Sequence, residues 1–343
     1  MKIKVKYEIL IAGIYLNEEI AVGKFNYKIK NIDKRKKMIP DELVYFNPLL
    51  GYFLYPGKKQ KINYAYFDYE KEFVLEMSLE NFKKLPKVIQ NKYIDKEDLY
   101  GDIYNLEKEL CLRINNNIKF PVIKATIFDE YGSKITEMIE MSKLNIPPYL
   151  MKNVEVIKKK LKNQQRFNKW IDQKSITEAQ SKFLRFNRAL KFYYSAMSIN
   201  ESSTAFILLM SSLESLFNIK SGKKCPECHM DKYEITNTVS TYVGKILNDK
   251  EGIIKDKIRK MYSIRSNYIH GLKDIDITYE NEIELREYVR KVLLVYWFII
   301  IRNPSIKNDK EIIELIDANK VYDLEMLAFV NIIVRDEEDQ NIV

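Results

Sequence analysis

Histidine is scarce: only His229 and His270 occur in 343 residues, so any histidine chemistry rests on one or other of these positions. Cysteine is nearly as rare, with three residues. The opening Met1-Lys-Ile-Lys-Val-Lys-Tyr alternates charge with apolar side chains, unlike an export signal. Few cysteines and no such signal predict a reducing, cytoplasmic compartment. Long apolar runs are missing too. The longest, Val292 to Ile301, is ten residues between Lys291 and Arg302, whereas a bilayer needs about 20. A buried core helix is expected there, and no membrane partner. No repeat of solenoid period is present. With 46% hydrophobic and 31% charged residues, wholesale disorder is excluded.

Length predicts two domains, at roughly 100–200 residues each, and composition breaks near Pro147-Pro148. Seven of nine prolines precede residue 149, while nine of eleven arginines follow it. Residues 1–148 read as a mixed, mostly β domain. Lys2 to Tyr7 and Phe25 to Lys30 alternate as strands do. Tyr52 to Tyr55 ends at a Pro-Gly turn, Ile62 to Tyr69 and Phe73 to Met77 read as a strand pair, and Phe120 to Phe128 as a late strand. Residues 80–112 have helical character. This domain lacks histidine and a glycine-rich phosphate loop. Residues 149–343 read as an all-α bundle. Its predicted helices run from Met151 to Lys169, Thr177 to Met197 and Thr204 to Phe217, then over 235–248, 252–269, 280–302, 309–317 and 322–334. Asn200 to Ser203 supply N-cap chemistry for the helix at Thr204. The predicted fold class is therefore α+β, with the helices in the second part.

Charge is uneven. The chain carries a net +9, but residues 151–195 alone hold 12 basic and 3 acidic side chains, and residues 309–340 hold 3 basic and 10 acidic. The basic segment includes Lys158, Lys162, Arg166, Arg185 and Arg188, with Trp170 interleaved. Cations tracking a backbone beside an aromatic suit single-stranded RNA; solvated helix faces are the plainer reading.

Two clusters carry chemistry. Cys225-Pro-Glu-Cys228-His229 has the spacing of half a tetrahedral zinc site, with Cys111 as a further ligand. A structural zinc, a redox pair and an inert loop remain open, and haem attachment is set aside because it needs export. The other cluster is Arg265-Ser266-Asn267-Tyr-Ile-His270-Gly271, at the end of a predicted helix, with Gly271 suited to its C′ position. A helix ending at His270 lets the imidazole turn back toward the guanidinium of Arg265. This pairing of a titratable acid/base with a permanent cation suits RNA cleavage without a metal. A base takes the ribose 2′-OH proton, an acid protonates the leaving 5′ oxygen, and positive charge stabilises the phosphorane. One chain falls short of that inventory; a symmetric dimer supplies two of each group. A histidine on a helix dipole and an arginine in a surface ion pair are the alternative.

Arg-x4-His-Gly on a late helix resembles the signature of HEPN domains, in particular the Apea-like branch. Phe206-Ile-Leu-Leu-Met-Ser-Ser-Leu-Glu214-Ser-Leu-Phe217 resembles that branch's acidic residue within an apolar helix. The similarity spans roughly residues 180–300. It implies a dimerising helical bundle with Arg265 and His270 lining a shared RNA-cleaving cleft, no catalytic cofactor, and a role in anti-phage defence as a toxin or abortive-infection ribonuclease. It also implies a non-catalytic RNA- or partner-binding module as the alternative, since some relatives lack catalysis. The superfamily favours Asn, Asp or His directly after the arginine. Here Ser266 stands there and Asn267 follows, so the third role falls to one of these two. Glu214 would orient Arg265 or His270, pin two helices, or lie exposed. The first domain is then the natural place for a trigger ligand or protein to act.

Overall fold

The computed structural model describes residues 2–12, 20–22, 27–31, 64–74, 78–86, 101–114, 119–141, 167, 170, 173–199, 201–217, 235–270 and 277–335. The layout is α+β. The chain forms two compact units, Met1–Lys162 and Asn163–Val343.

The first unit contains an antiparallel sheet of β1 (Lys2–Ala12), β2 (Ile20–Val22), β3 (Tyr27–Asn31), β4 (Tyr64–Val74), β5 (Lys119–Asp129) and β6 (Lys134–Met141), ordered β2-β3-β4-β1-β5-β6. Alternation in β1 explains its central place. Ile3, Val5, Tyr7, Ile9 and Ile11 are buried on one face, while Lys4 on the other reaches Glu70 of β4 at 2.7 Å. The predicted break between Tyr69 and Phe73 does not occur. Glu70 and Glu72 extend the strand, because every residue of β4 pairs with β1 and these carboxylates lie on the exposed face. Helices α1 (Leu79–Lys84) and α2 (Gly101–Ile114) complete the described unit. A Glu107 carboxylate on α2 accepts from the Phe120 N–H at the start of β5, at 2.8 Å. Strand β6 was not predicted. Its signal is the Asp129-Glu-Tyr-Gly132-Ser turn, in which the Asp129 carboxylate accepts from Tyr131 and Ser133 N–H groups and Gly132 takes φ +83°. The predicted strand at Tyr52 to Tyr55 lies outside the described residues.

The described elements of the second unit are all helices: α3 (Gln173–Lys182), α4 (Leu184–Met197), α5 (Ser202–Phe217), α6 (Ile235–Ile246), α7 (Ile253–His270), α8 (Tyr279–Arg302), α9 (Asp309–Asp317) and α10 (Leu324–Arg335). The segment predicted as one helix from Thr177 is broken at Phe183, whose backbone is extended and whose ring is buried. The break is satisfied from elsewhere: Asp309 of α9 accepts the Arg185 N–H in the first turn of α4, at 3.1 Å. Helix α5 starts on Glu201, whose carboxylate takes the Ser203 and Thr204 N–H groups at 3.0 and 2.8 Å. The Thr204 hydroxyl, and after it those two N–H groups, hold the Glu201 carboxyl below its ordinary range. The predicted helix from Met151 to Lys169 falls almost wholly outside the described residues.

Helix α8 is the core. Side chains from Val289 to Ile299 are all buried, so this stretch of the helix has no solvent face. Phe298 stacks on Phe329 of α10, with centroids 4.1 Å apart, and meets Phe167 edge-on; Tyr296 stacks on Phe186 of α4. No described helix is long and apolar enough to cross a membrane. Truncating the central ring, Phe298→Ala, is expected to cost about 3–5 kcal/mol in urea unfolding. Leu324→Ala, at a site 88% exposed, should change stability by no more than about 0.5 kcal/mol. Similar losses at both positions would contradict this placement of the core.

Candidate functional site

Helices α5 and α7 run side by side, and two polar ties join them. Tyr262 and Arg265, three residues apart on α7, share one face and meet the same carboxylate oxygen of Glu214 on α5. The Tyr262 hydroxyl donates to Glu214 Oε1 at 3.2 Å, and the nearer Arg265 Nη is 3.6 Å from that oxygen. Further along, the Tyr268 hydroxyl donates to Ser203 Oγ at 2.9 Å. The ties pair later residues of α7 with earlier residues of α5, so the two helices are antiparallel.

Burial decides what this cluster can do. The Glu214 side chain is 19% exposed and that of Arg265 is 28% exposed, so both are largely removed from water. Burial, reinforced by the negative charge of Glu214, pushes the Tyr262 hydroxyl well above its ordinary value. Tyr262 therefore stays protonated and acts as a fixed donor. A separation of 3.6 Å makes the Arg265–Glu214 contact an ion pair and not a hydrogen bond. Among the described residues, Arg265 Nε is buried without a hydrogen-bond partner. The guanidinium is thus held in place electrostatically while its hydrogen-bonding capacity is left largely free, and its planar fork suits a phosphate.

His270 does not join Arg265 within one chain. The sequence predicts an imidazole folding back at the helix end, but α7 stays helical through His270. Five residues of regular helix separate the two side chains by about 140° around the axis and about 7.5 Å along it. Arg265 faces α5 and His270 is exposed. No hydrogen bond or ion pair engages His270 among the described residues. Of the two candidates for a third role, Ser266 is exposed and Asn267 half-buried. The structure therefore gathers Glu214 and Arg265, and it adds Tyr262, which the sequence reading did not single out. The available signal was its spacing of three from Arg265.

The predicted RNA-binding set is dispersed in role. Arg185 is half-buried and donates to the Leu216 carbonyl in the last turn of α5, at 3.2 Å, a helix-capping contact. Trp170 is half-buried under the Arg302 guanidinium, 5.7 Å from its ring, so that face is covered. Arg188 is exposed. Lys158, Lys162 and Arg166 lie outside the described residues, as do Cys225, Cys228 and His229 of the predicted zinc half-site. Cys111 is buried in α2 and forms no disulfide among the described residues.

No family model, no curated protein and no solved structure matches this chain.

The Tyr262–Glu214 contact is testable by itself. Glu214→Ala leaves a buried hydroxyl without its acceptor and should cost about 1–3 kcal/mol. In a Tyr262→Phe background the same change should cost less, giving a coupling of about 0.5–3 kcal/mol in a double-mutant cycle by urea unfolding. Strict additivity would mean that the contact contributes nothing to joining α5 and α7.

Proposed function

We propose that the protein is a metal-independent endoribonuclease of HEPN type that works as a homodimer in the cytoplasm, as a toxin or abortive-infection effector against phage. The observation that supports this best is the state of Arg265: half-buried, paired with Glu214 at 3.6 Å, and with no hydrogen bond among the described residues. The resemblance of Arg265-x4-His270 and of the Glu214 helix to HEPN domains supplies the reaction class.

In this reading Arg265 holds the scissile phosphate and stabilises the negative charge that builds on its oxygens. One His270 takes the 2′-OH proton as the 2′ oxygen attacks phosphorus. The His270 of a second copy gives a proton to the departing 5′ oxygen. The products are a 2′,3′-cyclic phosphate and a 5′-hydroxyl, and no metal or other cofactor enters. The placement of the two side chains favours a shared site, since Arg265 and His270 point away from one another on one helix while a second copy can bring its own pair to the same cleft. Asn267, half-buried between them in sequence, is better placed than exposed Ser266 to orient a reacting group. The first unit would carry the trigger site that restrains cleavage.

A non-catalytic RNA- or partner-binding module is the second reading, and the lack, among the described residues, of any hydrogen bond or ion pair engaging His270 favours it. The discriminating experiment is incubation of purified protein with total RNA in EDTA. Discrete fragments ending in 2′,3′-cyclic phosphate are expected from the wild type. Arg265→Ala and His270→Ala should each slow cleavage by at least about 100-fold. Equal cleavage by all three would overturn the assignment of the site, and binding of RNA without cleavage would favour the module.

A further inference from the structure

A cavity of about 240 Å³ opens between the α6–α7 turn and the α9–α10 turn. It lies at the first turns of α7. From Lys255 on its wall to His270 is about 22 Å along the helix axis, so this is a second site, independent of the ribonuclease reading.

Two helix ends build its walls. After α6, Asn248 adopts φ +54°, its N–H bonds the Lys245 carbonyl at 3.0 Å, and the Asp249 N–H bonds the Gly244 carbonyl at 2.9 Å. After α9, Asn319 adopts φ +55° with the same pair of bonds, to Ile316 and Leu315 carbonyls. Both turns are Schellman motifs, whose left-handed position is usually glycine. Here it is asparagine twice, and both asparagines line the one cavity. Glycine would meet the backbone demand at lower cost. Asparagine adds a carboxamide, and neither carboxamide has a hydrogen-bond partner among the described residues.

The charges around the cavity are not balanced within it. Lys245 is engaged by Asp317 at 2.6 Å. The Asp249 carboxylate caps α7 by accepting the Lys255 N–H at 2.9 Å. Lys250 and Lys255 line the cavity and have no carboxylate partner among the described residues. Two ammonium groups and two carboxamides without partners among the described residues are complementary to an anion with several acceptor oxygens. The volume is below the roughly 300–1,000 Å³ of sites for drug-sized ligands. It therefore fits a phosphate group with a sugar-sized body.

We propose that this cavity binds a small phosphate monoester, with Lys250 and Lys255 neutralising the phosphate and Asn248 and Asn319 donating to its oxygens or its body.

The test is titration calorimetry of the full-length protein with ribose 5-phosphate, inorganic phosphate and ribose. Ribose 5-phosphate should bind and ribose should not. The Lys250→Ala/Lys255→Ala double variant should weaken binding at least about tenfold, since it removes both charge-assisted contacts to the phosphate. Asn319→Gly keeps the left-handed backbone while removing one carboxamide, and should weaken binding without loss of fold. Arg265→Ala should bind as the wild type does, which separates this site from the catalytic one. Three results would overturn the proposal: no binding of ribose 5-phosphate, binding unchanged in the double variant, or equal loss in Arg265→Ala. Inorganic phosphate binding as tightly as the ester would overturn its assignment to an ester.

Discussion

Val289 to Ile299 form a stretch of helix buried on every side, and such a helix is stable in water only when others cover it all round. In the second unit α3, α4, α5, α6, α7 and α10 all touch α8. Fully burying each large apolar side chain contributes about 1.5–3 kcal/mol, so the unit's stability is concentrated on this helix. The charged first turns of α8 follow from the same demand. Arg286 bonds Glu282 and Arg290 bonds Glu287, both within the helix, so their charges are matched where water is excluded. Placement of α5 is the consequence that matters most for function. Its Phe206, Leu209, Leu213 and Leu216 are buried, which leaves half-buried Glu214 available to α7.

The elements legible in the sequence were those whose pattern has one physical solution. Strict alternation gave β1, and an apolar run too short for a bilayer gave α8. Where a distant group decides the local structure, the sequence misleads. The break at Phe183 depends on Asp309, 124 residues away from the N–H that it accepts, and nothing local marks it. The charged Glu70-Lys71-Glu72 stretch reads as a turn, yet in the sheet these residues continue β4 in register with β1.

The site divides along the same line. Glu214 and Arg265 were legible because an acid in an apolar helix and a cation near a helix end both need partners, and they meet one another. Tyr262 was not, since a tyrosine on an amphipathic helix is ordinarily core. Arg185 and Trp170 looked like a nucleic-acid surface from composition. In the structure Arg185 caps α5 and Trp170 is one partner of a cation–π contact. The pairing of Arg265 with His270 required a helix end that turned, and α7 does not turn. The proposed ribonuclease therefore rests on a cleft shared by two copies, as the resemblance to HEPN domains implies.

That shared cleft is the central claim, and it can be measured through the activity of mixed dimers. Wild type and His270→Ala would be co-expressed at varying ratios, and metal-independent RNA cleavage compared with the wild-type fraction. If both copies of His270 serve one cleft, only wild-type homodimers cleave, and activity falls with the square of that fraction. A fall in direct proportion would mean that each chain acts alone, and would contradict the account.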